Sequence, residues 1–157
     1  VQGFVHKSYS HHGYGDHPRS RSAHGVRIWH EGLGRAIGIV HMHGLRDLAG
    51  KHDTPERRDQ AIRLVDLSDA LCEVGDLRIV CGDFNIEPGS ETLDILRESG
   101  LTELVTDGGH SGTRSSHYKK PGRFADYMAV SDPHAVRRFE IVRDPEPSDH
   151  CPLIIEV

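Results

Sequence analysis

From Gly25 onward, short apolar runs alternate with turn residues in the manner of a layered α+β domain. "GVRIWHE" and "GRAIGIVHMHG" read as two strands of a hairpin around a Gly-containing turn. The second run is apolar enough for a central strand, and its end sets His41 and His43 two apart, on one face. Over residues 54–74 the spacing becomes helical. Ala61, Leu64, Val65, Ser68, Leu71 and Cys72 share a face, with Ser68 its only polar member. Asp53 or Thr54 caps this helix, Pro55 suits its first turn, Glu56 complements the dipole and Gly75 stops it. A buried strand over 77–81 then runs into Gly82-Asp83-Phe84-Asn85, and Pro88 and Gly89 turn the chain into a second helix over about 90–99. After a Gly/Ser-rich loop (108–117) and a basic stretch at Lys119, Lys120 and Arg123, three further strands are expected: "RFADYMAVS", "VRRFEIVR" and "PLIIEV".

Residues 1–24, rich in His, Gly and Ser, have no hydrophobic period and read as a flexible segment, leaving 25–157 as the folded domain. His11, His12, Asp16 and His17 within it meet no metal-site spacing. A solvated loop is therefore preferred there over a metal-sequestering domain.

Composition narrows the class. The chain has 157 residues, 36% hydrophobic and 27% charged, which fits one soluble globular domain but is short for a two-sheet sandwich of roughly 200–250 residues. A net charge of −5 argues against strong sequence-independent binding to nucleic acid while leaving room for a local basic patch. Cys72, Cys81 and Cys151 form no CxxC, and the first two read as small buried hydrophobes, pointing to a reducing, cytoplasmic setting. No apolar run approaches membrane-spanning length, and no signal-peptide pattern opens the chain.

Three segments carry chemistry. At Gly82-Asp83-Phe84-Asn85 an apolar strand delivers a carboxylate and an amide to its carboxyl end, where they can activate and orient water or hold a cation. An Asx turn is the alternative. Ser148-Asp149-His150 sits between Pro147 and Pro152 in a loop stiff enough to hold an imidazole, or is a surface loop capped by Asp149. Asp126 lies in an apolar strand run, where an acid needs a partner. A histidine would satisfy it and have its tautomer fixed, and Arg123 or Arg137 would serve instead.

Together with the strand-borne His41, "GDFN", "RFADYMAVS" and "SDH" before "PLIIEV" follow one another in an order that resembles the endonuclease/exonuclease/phosphatase superfamily. The resemblance covers Gly25 to Val157. "HGLRDLAGKHDTPERRDQ" is similar to a bacterial subgroup whose substrates are undefined. It implies a four-layer α/β/β/α sandwich of the deoxyribonuclease I-like type, incomplete here because the N-terminal strands are missing. It also implies a divalent-metal-dependent phosphoesterase, a phosphodiesterase, phosphomonoesterase or nuclease. Asp83 would activate or position the attacking water, Asn85 would orient that water and the phosphate, and His150 would stabilise charge on the phosphoryl oxygens. Asp126 would orient His150, His41 would contact the phosphate, and Asp149 would lie at or beside the metal. Oxygen-rich ligation implies Mg2+ or Mn2+. In the loop "GTRSSHYKKPGR", Arg114, Tyr118 and Lys119 are candidate substrate contacts, with His43, His117 and Lys120 beside them, unless the loop is simply solvated. The family's metal-binding Glu has no counterpart, so a missing N-terminal segment or second chain is expected to complete the fold, and the chain alone to hold metal poorly. A non-catalytic phosphate-binding module is the alternative function.

Overall fold

The computed structural model describes residues 5–10, 22–48 and 50–157. Strands β1 (Val5–Ser10), β2 (Ser22–His30), β3 (Arg35–His43), β4 (Leu77–Asp83), β5 (Thr102–Glu103) and β6 (Asp126–Val130) form one sheet, ordered β1-β2-β3-β4-β6-β5. β3 and β4 are parallel and every other pair antiparallel. A parallel pair needs a crossover, which helix α1 (Pro55–Leu71) supplies. Helix α2 (Glu91–Glu98) follows β4, and β7 (Arg138–Ile141) pairs antiparallel with β8 (Leu153–Glu156) as a separate two-stranded sheet.

Strand alternation sorts the core into layers. Val40, Val80, Tyr127 and Ala129 meet Leu64, Leu67 and Leu71 of α1 and Leu93 and Leu96 of α2. Ile37, Leu77, Ile79, Met128 and Val130 point the other way, where Phe139, Leu153 and Ile155 of β7 and β8 pack on them. Each fully buried apolar side chain of this kind contributes about 1.5–3 kcal/mol. Helices, a six-stranded sheet and a two-stranded sheet thus make three of the four expected layers among the described residues.

The expected hairpin is β2–β3, closed by a single turn of 3-10 helix at Glu31–Leu33 and by Gly34 in the left-handed region. α1 starts as expected, with the Arg57 N–H donating to Thr54 Oγ1 and Pro55 in its first turn. It ends at Leu71 rather than at 74. The Cys72 N–H still donates to Ser68 O, but Cys72 itself is extended, and the Asp76 carboxylate then accepts the Glu73 N–H at 2.8 Å. Asp53 caps the other helix: it accepts Glu91 N–H at 2.6 Å and Thr92 Oγ1 at 2.9 Å. The buried stripe of α1 is also rotated from the expected one. Arg57, Gln60 and Leu67 are in it, while Val65 is half-buried.

β6 begins only at Asp126, because the Arg123 and Ala125 carbonyls are taken by N–H groups of Thr113, Arg114 and Phe84. β7 is shortened to Arg138–Ile141 by a 3-10 turn at Pro133–Ala135. Within the segment expected to lack regular structure, β1 and the start of β2 are strand. His11, His12, Asp16 and His17 lie outside the described residues. Cys72 and Cys81 are half-buried rather than fully buried, and all three cysteines are free thiols. No helix among the described residues is long and apolar enough to cross a membrane.

Candidate active site

Sheet register builds the centre of the site. His43 pairs with Asp83, and Asp83 with Asp126, so three polar residues form one row across β3, β4 and β6. β3 and β4 end here and the antiparallel β6 begins here, placing the row at the carboxyl edge of the parallel pair, where sheets of this kind bind ligands. Gly82 and Gly44 let the strand ends close up. A Cβ on Gly82 would lie 1.9 Å from Met42 O, and one on Gly44 would lie 2.7 Å from Phe84 O.

The two oxygens of Asp83 have separate tasks. Oδ1 accepts the Asn85 N–H at 2.9 Å, which makes the Asx turn, while Oδ2 faces His150 Nε2 at 3.9 Å and His43 Nε2 at 3.8 Å. The Asx turn is thus present, and it leaves Oδ2 unused by the turn at the cleft. Asn85 adopts φ 54, a left-handed conformation that asparagine tolerates better than most residues, and its amide donates to Gly44 O at 3.4 Å.

His150 is brought in by the loop before β8. That loop is sewn to residues 113–116 by the Cys151 N–H on Thr113 O, the Ser115 N–H on Asp149 O and the Ser115 hydroxyl on Ser148 O. The His150 Nδ1–H donates to both Asp126 oxygens, at 2.8 and 3.0 Å. Its Nε2 accepts from Arg114 Nη1, an arrangement that fits a neutral ring protonated at Nδ1. Asp126 thus takes the histidine partner. Arg123 instead donates to Arg114 O. The Asp126 carboxyl is held above the usual carboxylate range by burial and by the neighbouring Asp83 charge, against the opposing pull of His150 and Arg114. Excess negative charge therefore sits between the two carboxylates.

One ligand atom each from Asp83, Asp126 and His150 lies within 4.8 Å of the others. Hard carboxylate oxygens carrying uncompensated negative charge suit a divalent cation such as Mg2+ or Mn2+. Asp149 lines the same cleft, but its Oδ2 is paired with Arg114 Nη1 at 2.8 Å.

The cleft has a volume of about 840 Å³ and is lined by His43, Lys51, Asp83, Asn85, Arg114, Tyr118, Lys119, Asp149 and His150, among others. His41 is not among its lining residues. It lies two residues before the end of β3, exposed, and His43 holds the end position. Arg114, expected to touch substrate, is only 5% exposed and bridges Asp149 and His150. Its guanidinium carbon also stands over the Tyr118 ring, 4.4 Å from the centroid. Lys51 escaped the sequence reading. It belongs to the loop between β3 and α1, which Arg57 holds by donating to the carbonyls of Leu45, Gly50 and His52, and Gln60 by accepting the Leu45 N–H. The signal for that loop was a buried Arg and Gln on a helix face, three residues apart.

A profile of the Endonuclease/Exonuclease/phosphatase family matches residues 9–150. No curated protein matches the sequence. Among solved structures, a mannosyl-6-phosphatase of Bacteroides thetaiotaomicron superposes with a TM-score of 0.72 at 16% identity, covering 98% of this chain and 66% of that one. The human Nocturnin catalytic domain with bound sulfate anion gives 0.63 at 24% identity, over 98% of this chain and 60% of that one. D. rerio TDP2 complexed with single-strand DNA product gives 0.63 at 14% identity, over 97% and 66%. At such identities the likeness is one of fold, the mixed α+β architecture of the deoxyribonuclease I-like group. The chain spans less than two thirds of the length of each of these solved chains.

Proposed function

We propose, from the premise that this chain belongs to the endonuclease/exonuclease/phosphatase family, that it carries the hydrolytic centre of a divalent-metal-dependent phosphoesterase. The observation that supports this reading is the convergence of Asp83, Asp126 and His150 on one open cleft. Phosphoryl transfer leaves little covalent work to protein groups, so alignment and charge neutralisation supply most of the acceleration. Asp83 Oδ2, the carboxylate oxygen not used by the Asx turn, positions and deprotonates the attacking water, and Asn85 orients it. Asp126 fixes His150 with its proton on Nδ1. With a proton also on Nε2, in place of the contact accepted from Arg114, His150 would donate to the phosphoryl oxygens. His43, rather than His41, reaches the phosphate. Asp83, Asp126 and Asp149 would hold Mg2+ or Mn2+, which when bound neutralises charge on the phosphoryl group.

Hydrolysis of a bis-aryl phosphodiester tests this. We expect turnover that depends on Mg2+ or Mn2+, stops with EDTA and falls at least about 10²-fold in Asp83→Ala. Turnover undiminished by that substitution removes Asp83 from its role. A second reading, a phosphate-binding module without turnover, is favoured by the mutual engagement of Arg114, Asp149 and His150. It requires phosphate binding that is indifferent to metal.

A further inference from the structure

We infer that the cleft takes a small phosphate ester bearing a second anionic group, held by Lys51, Lys119 and Lys120 beside the Tyr118 ring. This rests on the hydrolytic reading above and names its substrate class.

Three of the four lysines in the sequence line this one cleft, in a chain whose net charge is −5. Several arginines outside the cleft are matched to acids: Arg27 to Asp76, Arg35 to Asp132, Arg97 to Asp107. Among the described residues, these three lysines form no ion pair. Lys51 donates to Phe124 O, Lys119 donates to Ser116 O at 2.7 Å, and Lys120 stands exposed at the rim. Burial, and then the Arg114 charge, hold the Lys51 ammonium below its ordinary range, so its positive charge is under-compensated within the protein.

The lysine shelf adjoins the hydrolytic cluster. From Asp83 the chain of contacts runs through His150 to Arg114, and from Arg114 to the Tyr118 ring. Lys51 Nζ lies 5.2 Å from the centroid of the same ring. Arg114 is nine-tenths buried, and its Nε has no hydrogen-bond partner, so the guanidinium retains donor capacity inside the cleft wall. A volume of about 840 Å³ exceeds the needs of one phosphoryl group and matches a small organic ligand. The basic lining, these lysines with Arg46, Arg57 and Arg114, is gathered around one pocket of a net-acidic chain, whereas a polymer backbone needs an extended basic track.

The test is calorimetric titration of the 157-residue chain, in EDTA to prevent turnover, with adenosine 5′-monophosphate and with adenosine 3′,5′-bisphosphate. One further charge-assisted contact predicts about tenfold or more tighter binding of the bisphosphate. In K51Q/K119Q/K120Q the ratio of the two affinities collapses toward one. The double variant K119Q/K120Q alters only rim side chains and lowers the ratio even if loss of the Lys51 tether to Phe124 impairs folding. Equal affinities in the wild type, or a ratio that survives the substitutions, overturns the inference. Lysine-dependent binding of an oligonucleotide tighter than that of the bisphosphate overturns the small-molecule assignment. A wild-type chain that shows the ratio and its lysine dependence but no hydrolysis with metal refutes the hydrolytic reading and leaves the shelf standing.

Discussion

Asp126→Asn should cost activity while leaving stability equal or improved, and the opposing signs make it the most informative single substitution. The carboxylate is 16% exposed at its side chain and accepts the His150 Nδ1–H through both oxygens. A charge-assisted hydrogen bond is worth about 1.5–3 kcal/mol and a neutral one about 0.5–1.5, so the amide forfeits about 1–1.5 kcal/mol of contact. Against this, ionised Asp126 is disfavoured by burial and by Asp83, and its pKa stands above the ordinary value despite His150 and Arg114. A carboxyl whose folded pKa lies above its unfolded pKa binds protons more tightly in the native state. Stability therefore falls as pH rises from the unfolded value through the folded one, and at neutral pH the charge is a net cost. A neutral isostere removes that cost. Catalysis responds differently. If the amide NH2 turns toward Nδ1, the ring proton moves to Nε2, which then confronts the Arg114 Nη1 donor. Loss of the correct tautomer should lower kcat by about 10²-fold with a smaller change in KM. Urea denaturation in EDTA, across pH 4 to 8, is the assay for the first effect, and metal-dependent hydrolysis for the second. A variant less stable than wild type at neutral pH, losing activity only in proportion to its unfolded fraction, would refute the reasoning.

Three further outcomes are expected. Asp53→Ala removes the acceptor shared by Ser90, Glu91 and Thr92 at the start of α2 and should cost about 1–2 kcal/mol in urea. Burial alone would raise the pKa of Asp53, but donations from Ser90, Thr92 and the Glu91 N–H outweigh it and hold the group below the ordinary range. Its stabilisation is present above the unfolded pKa and lost as pH falls through the folded one, so the variant should show a flatter acid limb in a pH series of melts. Gly82→Ala meets Met42 O at 1.9 Å from a backbone at φ 137, and should lose at least about 2 kcal/mol of stability, measured by the urea midpoint. Arg57→Met leaves the Leu45, Gly50 and His52 carbonyls without their donor and should cost about 2–4 kcal/mol, with faster proteolysis between β3 and α1 as its signature.

Local physics was written plainly in the chain. Helical spacing and the Thr54-Pro55 start define α1, and an apolar run ending in Asp-x-Asn defines β4 and its exit turn, because both depend on neighbours a few residues away. The need of Asp126 for a partner was equally legible, since an acid in an apolar strand is unstable alone. The partner's identity was narrowed only to a histidine or an arginine.

What the chain alone determined, then, is the set of groups: carboxylates, an amide and an imidazole carried at strand ends and in a proline-flanked loop. Tertiary structure decided which of them meet. A period of two puts His41 and His43 on one face but does not say which ends beside Asp83; the β3–β4 register does. Asp53 abuts the α1 start in sequence yet caps α2, because its acceptors are satisfied 37 to 39 residues away. Arg114 read as a candidate substrate contact and is a buried bridge, while Lys51, unremarkable in sequence, joins the cleft wall. Hydrogen-bond register and packing are relations between distant segments, and no residue's own chemistry encodes them.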